Sequence, residues 1–240
     1  VNYQPIIDLS DGRIIKAEAL LRWLHPQRGL VLPEEFIGLA EETGFINEIG
    51  NWVFTEATAR SQEWSALLGY PFQVSVNTSA VQFTHRAPRM NWGAYLRTLQ
   101  LAKHSMSVEV TEGVLLHASA MVTENLSNLQ KAGIDLAIDH FGTGYSSMAH
   151  LKKFDVDYLK IDQSFVQDST NDASNRIIAE TVIVMAHKLG LKVVGEGVET
   201  VEQRDWLRAA GCDYAQGYLF SEAIPPDEFG KLLKAGRVEC

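Results

Sequence analysis

Residues 3–18 run Tyr3-Gln4-Pro5-Ile6-Ile7-Asp8-Leu9-Ser10-Asp11-Gly12-Arg13-Ile14-Ile15-Lys16-Ala17-Glu18, and this stretch decides the fold. Two strand-like runs, Tyr3 to Asp8 and Arg13 to Glu18, flank Ser10-Asp11-Gly12. An Asp-Gly pair between apolar runs suits the left-handed turn of a hairpin, so these two strands are expected to be antiparallel.

Outward from the hairpin the rhythm changes. Pro33 to Thr43 reads as a helix with proline at its start, and Asn47 to Leu68 as a longer one capped by Asn47. Strand and helix then alternate. Strands are predicted at Phe72–Asn77, Ser107–Val110, Ile134–Asp139, Val156–Ile161, Leu191–Glu196 and Tyr214–Gly217. Helices follow around Trp92–Leu101, Ser119–Ala132, Ala173–Leu189, Val201–Ala210 and Pro226–Leu233, with a Gly-rich turn and a short helix after Asp139. Two hairpin strands and six strand–helix units make eight strands. Alternation implies a parallel sheet with right-handed crossovers, and eight strands suggest closure. The expected fold class is α/β: a modified TIM-like (β/α)8 barrel with one antiparallel strand, formed by a single domain over residues 1–240.

What ends each strand points to chemistry. Glu18 closes the second, Asn77 the third, and Glu109 lies near the end of the fourth. Asp139 ends the fifth, Lys160 and Asp162 the sixth, Glu196 the seventh and Gln216 the eighth. Gln4 begins the antiparallel first strand, which starts at the same face. In a β/α barrel the carboxyl ends of the strands open on one mouth, where active sites sit. Any one of these residues reads equally well as a loop residue meeting solvent, but the set interrupts runs that are otherwise apolar. Four carboxylates at one mouth repel one another unless a cation intervenes. Carboxylates and an amide oxygen without cysteine suit Mg²⁺, Mn²⁺ or Ca²⁺ rather than structural zinc.

Lys160 has two chemical readings. A Schiff-base lysine of an aldolase-like barrel needs a depressed pKa, whereas neighbouring carboxylates favour the charged form. A cation that orders a nucleophilic water or neutralises a phosphate oxygen fits better. Gly142-Thr143-Gly144 lacks a nucleotide-binding glycine fingerprint and reads as a loop that positions its neighbours. Arg22 could hold a phosphate with its planar fork. Ile177, Ile178, Val182, Met185 and Leu189 are assigned to core packing. His25, His85, His104, His117, His150 and His187 show no ligand spacing and are assigned to surface or capping roles.

A net charge of −9 with no basic run argues against a DNA or RNA polymer as partner. No apolar stretch reaches the roughly 20 residues that span a bilayer, so this domain is not expected to cross a membrane, although a full-length protein can still be anchored to one. Cys212 and Cys240 are too few for a disulfide framework and point to free thiols in a reducing, cytoplasmic setting. Val1 leads straight into a strand, which suggests a piece of a longer protein.

The motifs together resemble the EAL domain of cyclic di-GMP phosphodiesterases. The matching stretches are Tyr3-Gln4-Pro5, Glu18-Ala19-Leu20-Leu21-Arg22-Trp23, Pro33-Glu34-Glu35-Phe36-Ile37, Ser75-Val76-Asn77-Thr78-Ser79, Glu109-Val110-Thr111-Glu112, Asp139-His140-Phe141-Gly142-Thr143-Gly144-Tyr145-Ser146-Ser147, Leu159-Lys160-Ile161-Asp162, Glu196-Gly197-Val198-Glu199-Thr200 and Gln216-Gly217-Tyr218. The resemblance implies metal-dependent hydrolysis of one phosphodiester bond of cyclic di-GMP, giving linear pGpG. It implies two ions, Mg²⁺ or Mn²⁺. Glu18, Asn77, Glu109 and Asp139 are expected to hold the first, with Asp139 shared by the second and Glu196 joining the cluster. Lys160 is expected to hydrogen-bond the attacking water. Gln4, Leu20, Arg22, Asp162 and Gln216 match positions near substrate, while Glu112 and Glu199 look like supports behind the site. The resemblance also implies a homodimer and attached sensory or signalling domains. One departure matters: the usual family stretch has two adjacent aspartates, and here the second is His140. That substitution leaves open a cyclic di-GMP receptor with impaired catalysis, or a changed metal preference.

Overall fold

The computed structural model describes residues 1–84, 90–116, 118–144, 151, 153–167 and 173–236. Tyr145 to Ser147, the short helix expected after the Gly-rich turn, His85, His117, His150 and Cys240 lie outside the described residues.

The opening hairpin forms as read. Strand β1 (Asn2–Asp8) pairs antiparallel with β2 (Ile14–Leu20), with Gln4 opposite Glu18. Gly12 supplies the left-handed turn at φ 75°. After β2 comes a small hairpin, β3 (Trp23–His25) with β4 (Gly29–Val31), outside the barrel. Its two three-residue runs are too short to declare themselves in sequence. The remaining barrel strands are β5 (Gln73–Asn77), β6 (Met106–Thr111), β7 (Asp135–Phe141), β8 (Tyr158–Ile161), β9 (Lys192–Gly195) and β10 (Tyr214–Ala215). They close in the order β1-β10-β9-β8-β7-β6-β5-β2. Strand β1 is antiparallel to both its neighbours, and the other pairings are parallel. The barrel with one reversed strand is therefore present.

Alternation along β1 and β2 sorts side chains between the barrel and its helical coat. Tyr3 points outward and meets Trp64 edge-on, with ring centroids 4.8 Å apart. Trp64 in turn lies 4.6 Å from Phe229. This aromatic cluster clamps the helices Ile46–Leu68 and Pro226–Ala235 against the hairpin. Gln4, Lys16 and Glu18, on the opposite parity, are buried with the barrel's polar interior.

Two local expectations are corrected. The long helix begins at Ile46, and Asn47 is not its cap; the Asn47 amide donates back to Gly44 O at 3.0 Å. Gly44, left-handed at φ 77°, ends the preceding helix Ile37–Thr43, so the chain turns directly into the next one. In the helix Ala173–Lys188 the buried stripe is Ala179, Val182, Ile183 and Ala186. Ile177 is 63% exposed and Ile178 40%, and Leu189 just beyond the helix is 38% exposed, so three of the five residues assigned to the core face outward. A stripe shifted by one residue keeps the same helical period, and the helix packs against β8 and β9. Short helices also form at Glu112–Leu116 and Gln163–Gln167. No described helix is long and apolar enough to cross a membrane.

Candidate active site

The register of the barrel brings the polar strand ends to one height. Asn77 sits beside Glu109 and Thr111 beside Asp139 in adjacent parallel strands. Glu18 arrives from β2, Lys160 from β8, Glu196 just past β9 and Gln216 just past β10.

Lys160 Nζ is the hub. It lies 2.6 Å from Glu109 Oε2, 2.8 Å from Glu196 Oε1 and 2.9 Å from Glu18 Oε2, with Asp139 Oδ1 at 3.7 Å. Asn77 Nδ2 donates to Glu18 Oε1 at 2.6 Å. Gln216 Nε2 donates to Glu18 Oε2 at 2.7 Å and to Gln4 Oε1 at 2.9 Å, while Gln4 Nε2 donates to Ser221 O. Eight of the candidate residues thus share one linked cluster.

The remaining candidates surround it. Leu20 and Arg22 line the wall of a cavity of about 700 Å³ that also exposes Glu18, Asn77, Asp139, His140, Glu196, Glu199 and Gln216. The Arg22 guanidinium is folded back onto Leu21 O at 2.8 Å. Asp162 stands beside the cluster rather than in it, accepting from Ser164 N and Oγ on one oxygen and meeting His140 Nδ1 with the other. Glu112 accepts from Gly142 N at 3.3 Å, and a Cβ at Gly144 would lie 2.9 Å from its Oε1, so this carboxylate braces the Gly-rich turn. Glu199 accepts from Gln167 Nε2 at the rim. Glu41, Ser79 and Gln82 also line the cavity, with Ser79 Oγ donating to Glu41. Sequence reading missed these three because they come from connecting segments with no strand-end signal.

Electrostatics explain why the cluster is chemically charged with potential. Burial pushes the Glu109 carboxyl up to about 7, reinforced by Glu18 and Asp139 and opposed by Lys160. Burial likewise drives Glu196 well above the ordinary carboxylate range, against the pull of Lys160. Glu18 is also desolvated, but the Lys160 charge and the hydrogen bonds from Lys160, Gln216 and Asn77 outweigh burial and hold it below that range. Burial works to lower the Lys160 pKa, but Asp139, Glu109, Glu18 and Glu196 outweigh it and hold the pKa well above the usual value. An aldolase-type lysine needs the opposite shift. Beneath the mouth, Lys16 is fully buried with Nζ 3.7 Å from the Tyr158 ring centroid, and burial lowers its pKa to about 8.

One ammonium faces four carboxylates, so the cluster is short of positive charge. Among the described residues, Glu109 Oε1 and Gln216 Oε1 are buried oxygens without a hydrogen-bond partner. Ligand atoms of Asp139, His140 and Glu196 lie within 4.8 Å of one another. Hard oxygen donors, unpaired acceptors and a charge deficit are what a divalent cation satisfies, and the residues fit one.

Both the sequence and the fold match known proteins. The family described as EAL domain matches residues 1–223. The chain is 40% identical over 241 residues to the cyclic di-GMP phosphodiesterase NbdA of Pseudomonas aeruginosa, covering 100% of this chain and 31% of that protein. Among solved structures, the PaMucR phosphodiesterase in complex with c-di-GMP superposes with a TM-score of 0.90 at 36% identity, covering 95% of this chain and 92% of that one. The EAL enzyme Bd1971, in its cAMP and cyclic-di-GMP bound form, also gives a TM-score of 0.90, at 32% identity, over 97% of this chain and 64% of that one. The chain spans only 28% to 31% of the length of the first curated relatives it matches.

Proposed function

The chain belongs to the EAL domain family, and on that premise we propose that it hydrolyses cyclic di-GMP to linear pGpG at its acidic barrel mouth. The observation that carries this reading is the convergence of Glu18, Glu109 and Glu196 within 2.9 Å of one buried ammonium, with Asp139 at 3.7 Å.

In this reading Glu18, Asn77, Glu109 and Asp139 hold one Mg²⁺ or Mn²⁺ ion, and Asp139 is shared with a second that Glu196 joins. When bound, such ions supply Lewis acidity toward the phosphate and the attacking water. The chain's own groups do the rest. Lys160 and Glu196 hydrogen-bond the water from its acceptor and donor sides and orient it toward phosphorus. Arg22 leaves Leu21 O and pairs with a phosphate oxygen, while Gln4, Leu20 and Gln216 position the dinucleotide. The water oxygen bonds to phosphorus as its proton passes to Glu196, the bond from phosphorus to the ribose 3′ oxygen breaks, and that oxygen takes up a proton from solvent while Glu196 returns one to solvent. Glu112 and Glu199 keep the Gly-rich turn and the rim in register.

His140, standing where the family usually has a second aspartate, favours one other reading: a receptor that binds cyclic di-GMP without turnover and signals through attached domains. Incubation of the purified chain with cyclic di-GMP and Mg²⁺ or Mn²⁺ separates the two. Linear product is expected; tight binding with no product in either metal overturns the hydrolase reading. Attached sensory or signalling domains, a homodimer and a cytoplasmic setting belong to the same proposal, the first supported by the small share of its relatives' length that the chain spans.

A further inference from the structure

His140 is held in an unusual backbone state. Its φ is +54°, in the left-handed region that side chains other than glycine seldom adopt. The reward for that strain is visible on both ring nitrogens. Nδ1 lies 2.7 Å from Asp162 Oδ2, and Nε2 lies 3.4 Å from Asp139 Oδ2. Asp162 is itself fixed, because Oδ1 accepts from Ser164 N at 2.9 Å and Ser164 Oγ at 2.6 Å, leaving Oδ2 free to receive the imidazole N–H. The ring is half exposed and lines the cavity. Its donor atom falls within 4.8 Å of those of Asp139 and Glu196.

A carboxylate that takes the N–H of one ring nitrogen selects the tautomer whose lone pair is on the other nitrogen and raises its basicity toward a metal. We propose that Asp162 positions His140 so that Nε2 becomes a nitrogen ligand beside Asp139 and Glu196, making this position of the mouth select a borderline transition-metal ion such as Mn²⁺ over Mg²⁺. Imidazole suits the first-row transition metals, whereas Mg²⁺ demands oxygen. Asp162 is then a positioning residue, acting through His140, in place of the substrate contact that the family resemblance implies. The inference rests on the reading of the mouth as a cation site.

The test is electron paramagnetic resonance of the purified chain titrated with Mn²⁺, without substrate. Binding is read from loss of the free-ion signal, and nitrogen ligation from ¹⁴N modulation of the bound ion. Wild type is expected to show directly coordinated nitrogen and to require on the order of 100-fold excess Mg²⁺ for displacement. In His140→Asp the nitrogen signal is expected to vanish and Mg²⁺ to compete at least 10-fold better. Asp162→Asn should weaken Mn²⁺ by about 10–100-fold, the range for loss of an orienting partner, with smaller change in the Mg²⁺ constant. Bound Mn²⁺ without nitrogen coupling in wild type, or an unchanged Mn²⁺/Mg²⁺ ratio in His140→Asp, overturns the dyad while leaving the cation site standing. Wild type that binds no divalent ion at all overturns both. The wild-type spectrum needs no variant to fold.

Discussion

Lys160 Nζ lies 2.6 Å from Glu109 Oε2, and neither side chain is more than 1% exposed. The pair is closed off from water although its neighbours Glu18, Asp139 and Glu196 line the cavity. Removing one partner of a buried ion pair leaves the other charge uncompensated and costs about 3–5 kcal/mol.

Lys160→Met is therefore expected to lower thermal stability sharply in EDTA. Excess Mn²⁺ should narrow the gap from wild type, since a bound cation restores positive charge to the same carboxylates and stabilises the folded state by mass action. Thermal melts of both proteins in each condition check this. An equal gap with and without Mn²⁺ would show that the lysine and the cation do not share a site.

Glu18→Ala removes the acceptor that joins Asn77, Gln216 and Lys160. Turnover of cyclic di-GMP is expected to fall on the order of 100-fold or more, at least the loss seen when a ligand's supporting partner is removed. Full activity in the variant would contradict the site assignment.

Gly217→Ala places a Cβ 2.1 Å from Val198 O and 2.3 Å from Val198 N, both backbone atoms that cannot move aside cheaply. Val198 N donates to Gln216 O and Leu219 N to Val198 O, so the clash strikes the contact that sets Glu196 and Gln216 side by side. A stability loss of about 1–3 kcal/mol is expected, with turnover falling as well. Gly38→Ala, which meets nothing within 4 Å, is the control in the same urea titration.

Asp213 anchors the opposite end of the barrel. It takes Lys192 Nζ at 2.7 Å, His187 Nε2 at 2.8 Å and Val193 N at 3.0 Å. Burial pushes its carboxyl up, but those hydrogen bonds outweigh burial and hold it below the ordinary value of 3.8. A depressed carboxylate stabilises the fold fully above its unfolded pKa and loses that contribution as pH falls through the folded one. Asp213→Asn should cost about 1–3 kcal/mol at neutral pH. The wild-type advantage should shrink below pH ~3.8, which denaturant titrations at several pH values will show. A difference that stays flat to lower pH would remove the carboxylate from the account.

Much of the site was legible because strand ends in a closed barrel share one face. The reversed strand needed only Asp11-Gly12 between two apolar runs, and the candidate ligands needed only the alternation that followed. Three features were not legible. The outward face of Ile177 and Ile178 depended on which side of the helix meets the sheet, and a one-residue phase shift leaves the sequence period intact. Asn47 looked like a cap because caps and first-turn asparagines have the same composition. Glu41 and Gln82 reach the cavity from helices and Ser79 from a loop, and which face of those segments meets the mouth follows no local rule.

By itself the amino-acid sequence determined the barrel class, the reversed first strand and the identity of the acidic residues, since strand period and turn chemistry are local properties of the chain. Only the tertiary structure decided that the Lys160 ammonium would stand among those carboxylates, that Asp162 would turn to His140, and that Arg22 would rest on the Leu21 carbonyl. Those outcomes depend on distances between residues far apart in the chain, and at separations of a few ångströms in a dry interior a small change in distance reverses which charge state is favoured.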